Sequence, residues 1–413
     1  MSIEDAKRLQ HRRTVKADVL RGPFDPGGQP SLEQKHPLHI SLFAWNVRSG
    51  LAATKAVLSE PKRYRDYWEW PASRDLLQAA ERAGFDGQLQ YGMWSGYGGE
   101  TDWNGASLDW ATAAAVSAAS TERLDLRTTV HVGFDFHPLL IAKTTAAIDH
   151  VSGGRLGVNL VAAVDLVDYA QFGFGKDREA AAIAKGVGRT PEERYAMADE
   201  FTTLLKYLWT SDEAVDFEGE YFQAYGAHID PKPASRPRPL LMNAAGSDLG
   251  IDFATRQCDA IFVSPGQAGP GGWEQQARDI KAAAAAHGRT VRICMMCFVV
   301  MDETDEKAAE TVEWLASEID VEAVTNQFRR LSGSASASNW GQDGVSDEHL
   351  RKFGLGLGGY QVFGSYKTVA DTLASIHSAG VDQVALFFWD PARSVEAFGE
   401  HVVPLLDERG LRR

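Results

Sequence analysis

Residues 150–162 read HVSGGRLGVNLVA and change character twice within three positions. A helix-like run stops at the pair Gly153–Gly154, where glycine suits a helix end. An apolar strand begins at once with Leu156 and carries Asn159 inside it. A short, nearly unbroken apolar run bounded by glycine reads as a strand covered on both faces, as in a parallel sheet. Strands disfavour Asn, and a buried amide needs partners. The stretch therefore predicts one helix–strand junction of a parallel α/β fold, with a polar group whose purpose is not packing.

Working outward, seven further strand patterns alternate with helical ones: 38–45, 86–92, 125–132, 239–243, 258–263, 291–301 and 382–389. With 156–162 they make eight, which favours a closed (β/α)8 TIM barrel with insertions over an open doubly wound sheet. Thr190-Pro191-Glu192-Glu193 is a capping box with proline at the first helical position. Thr368 with Asp371 is read as the start of the last long helix, and Gly380 as its end. Residues 1–36 read as an extended N-terminal arm, and residues 37–413 as a single barrel. The Ser/Gly-rich stretch 331–359 is predicted to be a mobile insertion.

The chain has 413 residues and a formal charge of −14, which argues against nucleic acid or an anionic membrane surface as partner. Its longest apolar run, Ile293 to Met301, is nine residues and too short to span a bilayer. The N-terminal residues lack the apolar core of a secretory signal, and three cysteines make no disulfide framework. A cytoplasmic protein is expected.

Three motifs fail in context. Gly354, Gly356 and Gly359 spell G-x-G-x-x-G but follow no strand, so they are read as a hinge. Cys294 and Cys297 lie three apart in a strand pattern, which sends them to opposite faces. His131 and His137 lack metal-binding spacing, and no metal site is predicted. Two others carry chemistry. Met242-Asn-Ala-Ala-Gly246-Ser247 runs from a strand into a helix, where Gly246 admits close backbone approach and Ser247 caps the helix or cradles an anion. Arg194 and Tyr195 lie in the first turn of the helix opened at Thr190, placed to grip a phosphate.

The pieces AERAGFDGQLQYGMWSGYGG (80–99), HPLLIAKTTAAIDHVSGGRLGVNLV (137–161), RYAMADEF (194–201), MNAAGSDLG (242–250) and VFGSYKTVADTL (362–373) resemble, in order, the bacterial-luciferase-like flavin monooxygenases. The similarity is greatest to their FMNH2-dependent pyrimidine and sulfonate or sulfone branches, over roughly residues 38–405. The resemblance implies FMN, used as FMNH2 with O2, at the C-terminal ends of the barrel strands. It implies that Gly92 and Met93 line the flavin, that Asn159 bonds its ring, and that Asp168 approaches its polar edge. It places Arg194, Tyr195, Gly246 and Ser247 around the phosphate. Met93 stands where the pyrimidine branch has Lys, and Val130 where a hydroxyl residue is expected, so a pyrimidine substrate is doubtful. Trp45, Trp94, Val130, His131, Phe134 and Trp389 are the candidate pocket. They suggest a flat, weakly polar heteroaromatic or heteroatom-bearing substrate, oxygenated with C–heteroatom cleavage or ring opening. His131 and Asn159 are the candidate catalytic residues. A separate NAD(P)H:flavin reductase and a homodimeric or homotetrameric assembly are expected. The alternatives are a deazaflavin-dependent dehydrogenase on the same barrel, a hydrolase using Asp390, and a non-catalytic flavin-binding barrel.

Overall fold

The computed structural model describes residues 13–16, 22–59, 65–134, 136–162, 166–172, 190–264, 272–332 and 346–412. Its strands are β1 (Arg13–Lys16), β2 (His39–Phe43), β3 (Gly87–Leu89), β4 (Asp125–His131), β5 (Leu156–Val161) and β6 (Val215–Glu218). They continue with β7 (Gln223–Ala227), β8 (Leu240–Ala244), β9 (Ala260–Val263), β10 (Arg292–Asp302), β11 (Tyr360–Ser365) and β12 (Gln383–Phe387). β2, β3, β4, β5, β8, β9, β10 and β12 pair in that order, all parallel, and β12 returns to β2 to close an eight-stranded barrel. Each of the eight sequence patterns holds one of these strands.

Four strands stood outside that pattern. β10 outruns the barrel, and its upper half, from Cys297 to Asp302, pairs with β11. β6 and β7 form a hairpin outside the barrel, and β1 of the N-terminal arm joins it in parallel to β6. The rest of the described arm is tied down: Phe24 packs on Tyr207 at 4.4 Å, and Gln29 Nε2 donates to the Thr290 carbonyl at 2.6 Å.

Alternation in β10 shows how the strands sort their side chains. Cys294, Met296 and Phe298 face the barrel interior with Phe43, Leu89, Met242 and Phe387. Ile293, Met295, Cys297 and Val299 face the surrounding helices. The two cysteines therefore do lie on opposite faces, and both are buried. The inner layer seals the barrel as a packed core, each such side chain contributing roughly 1.5–3 kcal/mol on burial.

The junction at 150–162 has a physical account. The helix Pro138–Ser152 ends with Gly153 at φ +69°, where a Cβ would be strained. Arg155 then spends its guanidinium on the neighbouring helix end, donating to the carbonyls of Ala118 (3.0 Å), Thr121 (2.8 Å) and Leu124 (2.7 Å). The carbonyls of Ala118 and Thr121 belong to the end of the helix Trp110–Ser120, whose last carbonyls lack intrahelical partners. That of Leu124 belongs to the loop before β4, so the bonds complete the helix C-terminus and tie it to the next strand. The capping box at Thr190 is formed as read and opens the helix Pro191–Thr210. The helix Tyr366–Ser378 starts earlier than expected, because Ser365 is its cap and Thr368 supplies the capped N–H.

Part of the expected insertion, residues 333–345, lies outside the described residues. Residues 346–359 are ordered around the helix Asp347–Gly354, with Phe353 and Leu355 buried. Gly356, at φ +111°, leaves no room for a Cβ against Phe298. The glycines there fit a close approach to the barrel interior. Among the described residues no helix is long and apolar enough to cross a membrane, and no group of three His, Cys, Asp or Glu could hold a metal.

Candidate active site

Asn159 points into the barrel at its C-terminal mouth. It sits opposite Thr129 of β4, and its Nδ2 donates to Thr129 Oγ1 at 3.2 Å. Thr129 in turn donates to the Gln90 carbonyl at 2.7 Å, beyond the end of β3. With Nδ2 committed, Asn159 Oδ1 is left buried with no hydrogen-bond partner among the described residues. A bare buried acceptor costs about 1–3 kcal/mol, so it calls for a donor from a bound molecule. Thr129 was missed in the sequence reading; its signal is its inward register beside Asn159.

Next to this group Gly92 meets His131 and Thr129 so closely that a Cβ would stand 2.6 Å from the imidazole Cε1. A cavity of about 320 Å³ opens there, lined by Gly92, Met93, Trp94, Trp110, Thr129 and His131 among others. Phe134 is buried behind it, 5.2 Å from the His131 ring. Trp389 lies half-buried at the end of β12, edge-on to Trp314 at 5.3 Å.

Two candidates are corrected. Val130 faces outward, fully buried with Ile141, Ala142 and Leu160, because alternation in β4 gives the interior to Thr129 and His131. Trp45 belongs to the shell between barrel and helices, where its Nε1 donates to Gln88 Oε1 at 2.7 Å. Neither lines the cavity. Asp390 accepts from the Arg393 N–H at 3.4 Å and caps the helix Pro391–Ala397, a structural role at the end of the last barrel strand.

Two strands' ends supply the second half of the site. Ser247 Oγ accepts from the Gly250 N–H at 3.3 Å, opening the helix Asp248–Gln257. Tyr195, from the first turn of the helix Pro191–Thr210, reaches across to hydrogen-bond Ser247, and Gly250 is needed because a Cβ would strike the phenol. Burial pushes the Tyr195 phenol up from its ordinary value, against that bond and the Arg194 charge. Burial likewise lowers the Arg194 guanidinium from its ordinary value. Tyr195 and Ser247 thus come together at two helix N-termini, one strand along from Asn159, with Arg194 next to Tyr195 in the same first turn, and Gly246 borders an adjoining groove. Asp168 is engaged elsewhere: it pairs with Arg330 at 3.3 Å and accepts from the Ser95 hydroxyl.

A barrel with its polar, glycine-lined site at the C-terminal strand ends agrees with what the whole chain resembles. Residues 51–383 match the family described as luciferase-like monooxygenase. The chain belongs to that family. It is 30% identical to an FMNH2-dependent dimethylsulfone monooxygenase of Pseudomonas putida, over 90% of this chain and 96% of that one. It is equally 30% identical to the pyrimidine monooxygenase RutA of Stutzerimonas stutzeri, over 82% and 89%. Among solved structures, a riboflavin lyase crystallised with modified FMN and riboflavin superposes with a TM-score of 0.74 at 22% identity, covering 91% of this chain and 92% of the other. That likeness bears on the fold, a luciferase-like TIM barrel.

Proposed function

We propose that this member of the luciferase-like monooxygenases is the oxygenase of a two-component, cytoplasmic system. It would use FMNH2 and O2 to oxygenate a small organic, heteroatom-bearing substrate, with the flavin delivered by a separate NAD(P)H:flavin reductase. The observation that carries the reading is the pairing of two half-sites at one mouth. The Arg194–Tyr195–Ser247 group suits a phosphate, and the unmet acceptor on Asn159 suits a ring N–H. These residues fit FMN, since the orphaned Oδ1 is an acceptor of the kind that a planar, donor-bearing ring satisfies. Gly92 lets His131 and Thr129 pack directly on the backbone at the edge of the cavity.

The chain's own residues have separate tasks. Arg194 holds the phosphate by charge-assisted bonds, and the two helix N-termini add their dipoles. Asn159, fixed through Thr129 and Gln90, sets the rotation of the ring in the mouth. His131 faces the cavity and is placed to hold or move a proton for the substrate. The packed layer below, Phe43, Met242, Phe298 and Phe387, excludes water from beneath. Oxygen activation is the chemistry that reduced FMN supplies when bound.

The test is O2 uptake by the protein with photoreduced FMN, screened against sulfones, sulfonates and heteroaromatic compounds. One class should raise uptake with product formed and little peroxide. Uptake at the free-flavin rate with every compound would reject the reading. Arg194→Ala should weaken FMN binding by ~1.5–3 kcal/mol, the range for a hydrogen bond to a charged group. An unchanged dissociation constant removes the phosphate assignment.

A further inference from the structure

Beside the cavity one guanidinium joins three segments that are far apart in sequence. Arg330, in the helix Val321–Ser332, donates through Nη1 to the carbonyls of Ser95 at 3.1 Å and Gly96 at 2.8 Å. Through Nη2 it donates to Ser95 Oγ at 2.9 Å and to Asp168 Oδ1 at 3.3 Å. Its guanidinium also lies over the Tyr97 ring at 4.8 Å, and Asn326 of the same helix donates to the Tyr97 carbonyl at 2.9 Å. The Arg330 and Asp168 side chains are only 11% and 4% exposed. A buried ion pair adds little net stability over an apolar pair of the same shape, so its value lies in what it aligns.

What it aligns is the aromatic wall of the site. Ser95 follows Trp94 directly, and Asp168 lies one helical turn before Phe172. Trp94 meets Phe172 edge to face at 4.9 Å, and Phe172 stacks on Phe134 at 4.5 Å. Phe134 abuts His131, and both Trp94 and His131 line the cavity. Trp94 is 40% exposed, and its buried side rests on Phe134, Phe136 and Phe172.

We propose that Arg330 is a positioning residue of the active site. By gripping Ser95 and Asp168 together it holds Trp94 against Phe172 and sets the slot that receives a flat aromatic part of the substrate. This rests on reading the cavity as the substrate site. It gives Asp168 a different task from the cofactor contact that the family resemblance implied. Lysine cannot substitute, because a point charge lacks the fork that reaches two carbonyls and a carboxylate at once.

The experiment uses the full chain carrying 5-fluorotryptophan, with the Trp94 resonance assigned from Trp94→Phe, and indole as the flat probe. Arg330→Met and Asp168→Asn should each broaden or split the Trp94 line while the other tryptophan lines stay. Indole affinity should fall about tenfold, as expected for a lost aromatic contact geometry. FMN affinity, set at the distant phosphate group, should stay within about twofold. Arg330→Lys should recover less than half of the lost indole affinity. A Trp94 line unmoved in Arg330→Met overturns the positioning role; if that variant does not fold, the same reading is taken from Asp168→Asn. FMN binding weakened in Asp168→Asn as much as in Arg194→Ala would instead make Asp168 a cofactor ligand. Trp94→Ala separates the two levels. If it binds indole like the parent, or the parent binds none, the cavity is not the substrate site. If it loses indole while Arg330→Met does not, only the positioning role falls.

Discussion

At the foot of β9, Asp259 accepts from Arg238 Nη1 at 2.7 Å and from Arg289 Nη2 at 3.1 Å. Asp25 of the N-terminal arm adds a second carboxylate to Arg238, at 2.7 Å, and to Lys206, at 3.0 Å. His39 and Arg127 flank Asp125 at the foot of β4, and together they hold its carboxyl below the ordinary range. At the other end of the same barrel one ion pair, Arg330–Asp168, flanks the mouth, and the acceptors that stay unmet are neutral amides. Asn159 and Asn243 each carry a buried oxygen with no hydrogen-bond partner among the described residues, and a cavity opens beside Thr129, the neighbour of Asn159. One end answers charge with charge and closes. The other leaves neutral acceptors waiting, a division expected when stability is built at the N-terminal face of a barrel and chemistry at the C-terminal face.

The largest effect should come from breaking the closed end. Arg238→Met leaves Asp259 buried with fewer donors, and removing one partner of a buried pair typically costs about 3–5 kcal/mol. Urea unfolding measures it, and the folded protein should bind FMN as the parent does. A loss below 1 kcal/mol (on the order of a surface pair) would erase the contrast between the ends.

A site residue should behave the other way. Asn159→Leu removes an acceptor that none of the described residues satisfies, and leucine suits a strand interior. The apo protein should gain about 1–3 kcal/mol, while FMN binds several-fold less well and product yield per FMNH2 falls. Thr129 loses the Asn159 donor but keeps its own bond to the Gln90 carbonyl, so its hydroxyl stays anchored. A destabilised apo protein, or unchanged flavin binding, would make Asn159 a structural residue.

This asymmetry also explains what could be read without coordinates. The barrel was legible because eight apolar runs with helix signals between them carry their pattern locally, and the αL stop at Gly153 and the capping box at Thr190 are local chemistry. β11 and the β6–β7 hairpin were not, since β11 exists only because β10 outruns the barrel and offers an edge. In the site, Asn159 announced itself as a residue out of place in a strand. Val130 misled because a one-residue shift in a strand exchanges the two faces, and both faces of a barrel strand are apolar. Trp45 misled because β2 ends at Phe43 and the turn at Ala44, with φ +57°, breaks the alternation before it. Arg330 and Ser95 gave no sequence signal, because their meaning is a contact across 235 positions.

The smallest expected effect sharpens the comparison by asking what the closed end costs. Lys206 is fully buried in the helix Pro191–Thr210, and its ammonium donates to the Phe24 carbonyl, Asp25 and Gln257. Burial, aided by the Arg238 charge and opposed by Asp259 and Asp199, draws its pKa from 10.5 down to about 7. The folded protein therefore releases this proton near pH 7, while the unfolded chain keeps it to 10.5. Between these values the unfolded state binds more protons, so this group makes stability rise with pH, by at most about 1.4 kcal/mol per pH unit. Below pH 7 both states hold the proton and the burial penalty is present in full. Cys258, pushed up to about 12, opposes the trend only above its ordinary value near 9, so the window to measure is pH 7 to 9. Urea midpoints of the parent and Lys206→Met, taken across that window, isolate the lysine. The parent should gain on the variant as pH rises. Parallel curves would mean that the ammonium stays charged in the fold. The Asp25 and Asp259 carboxylates would then pay fully for its burial, and the closed end would carry no titratable cost.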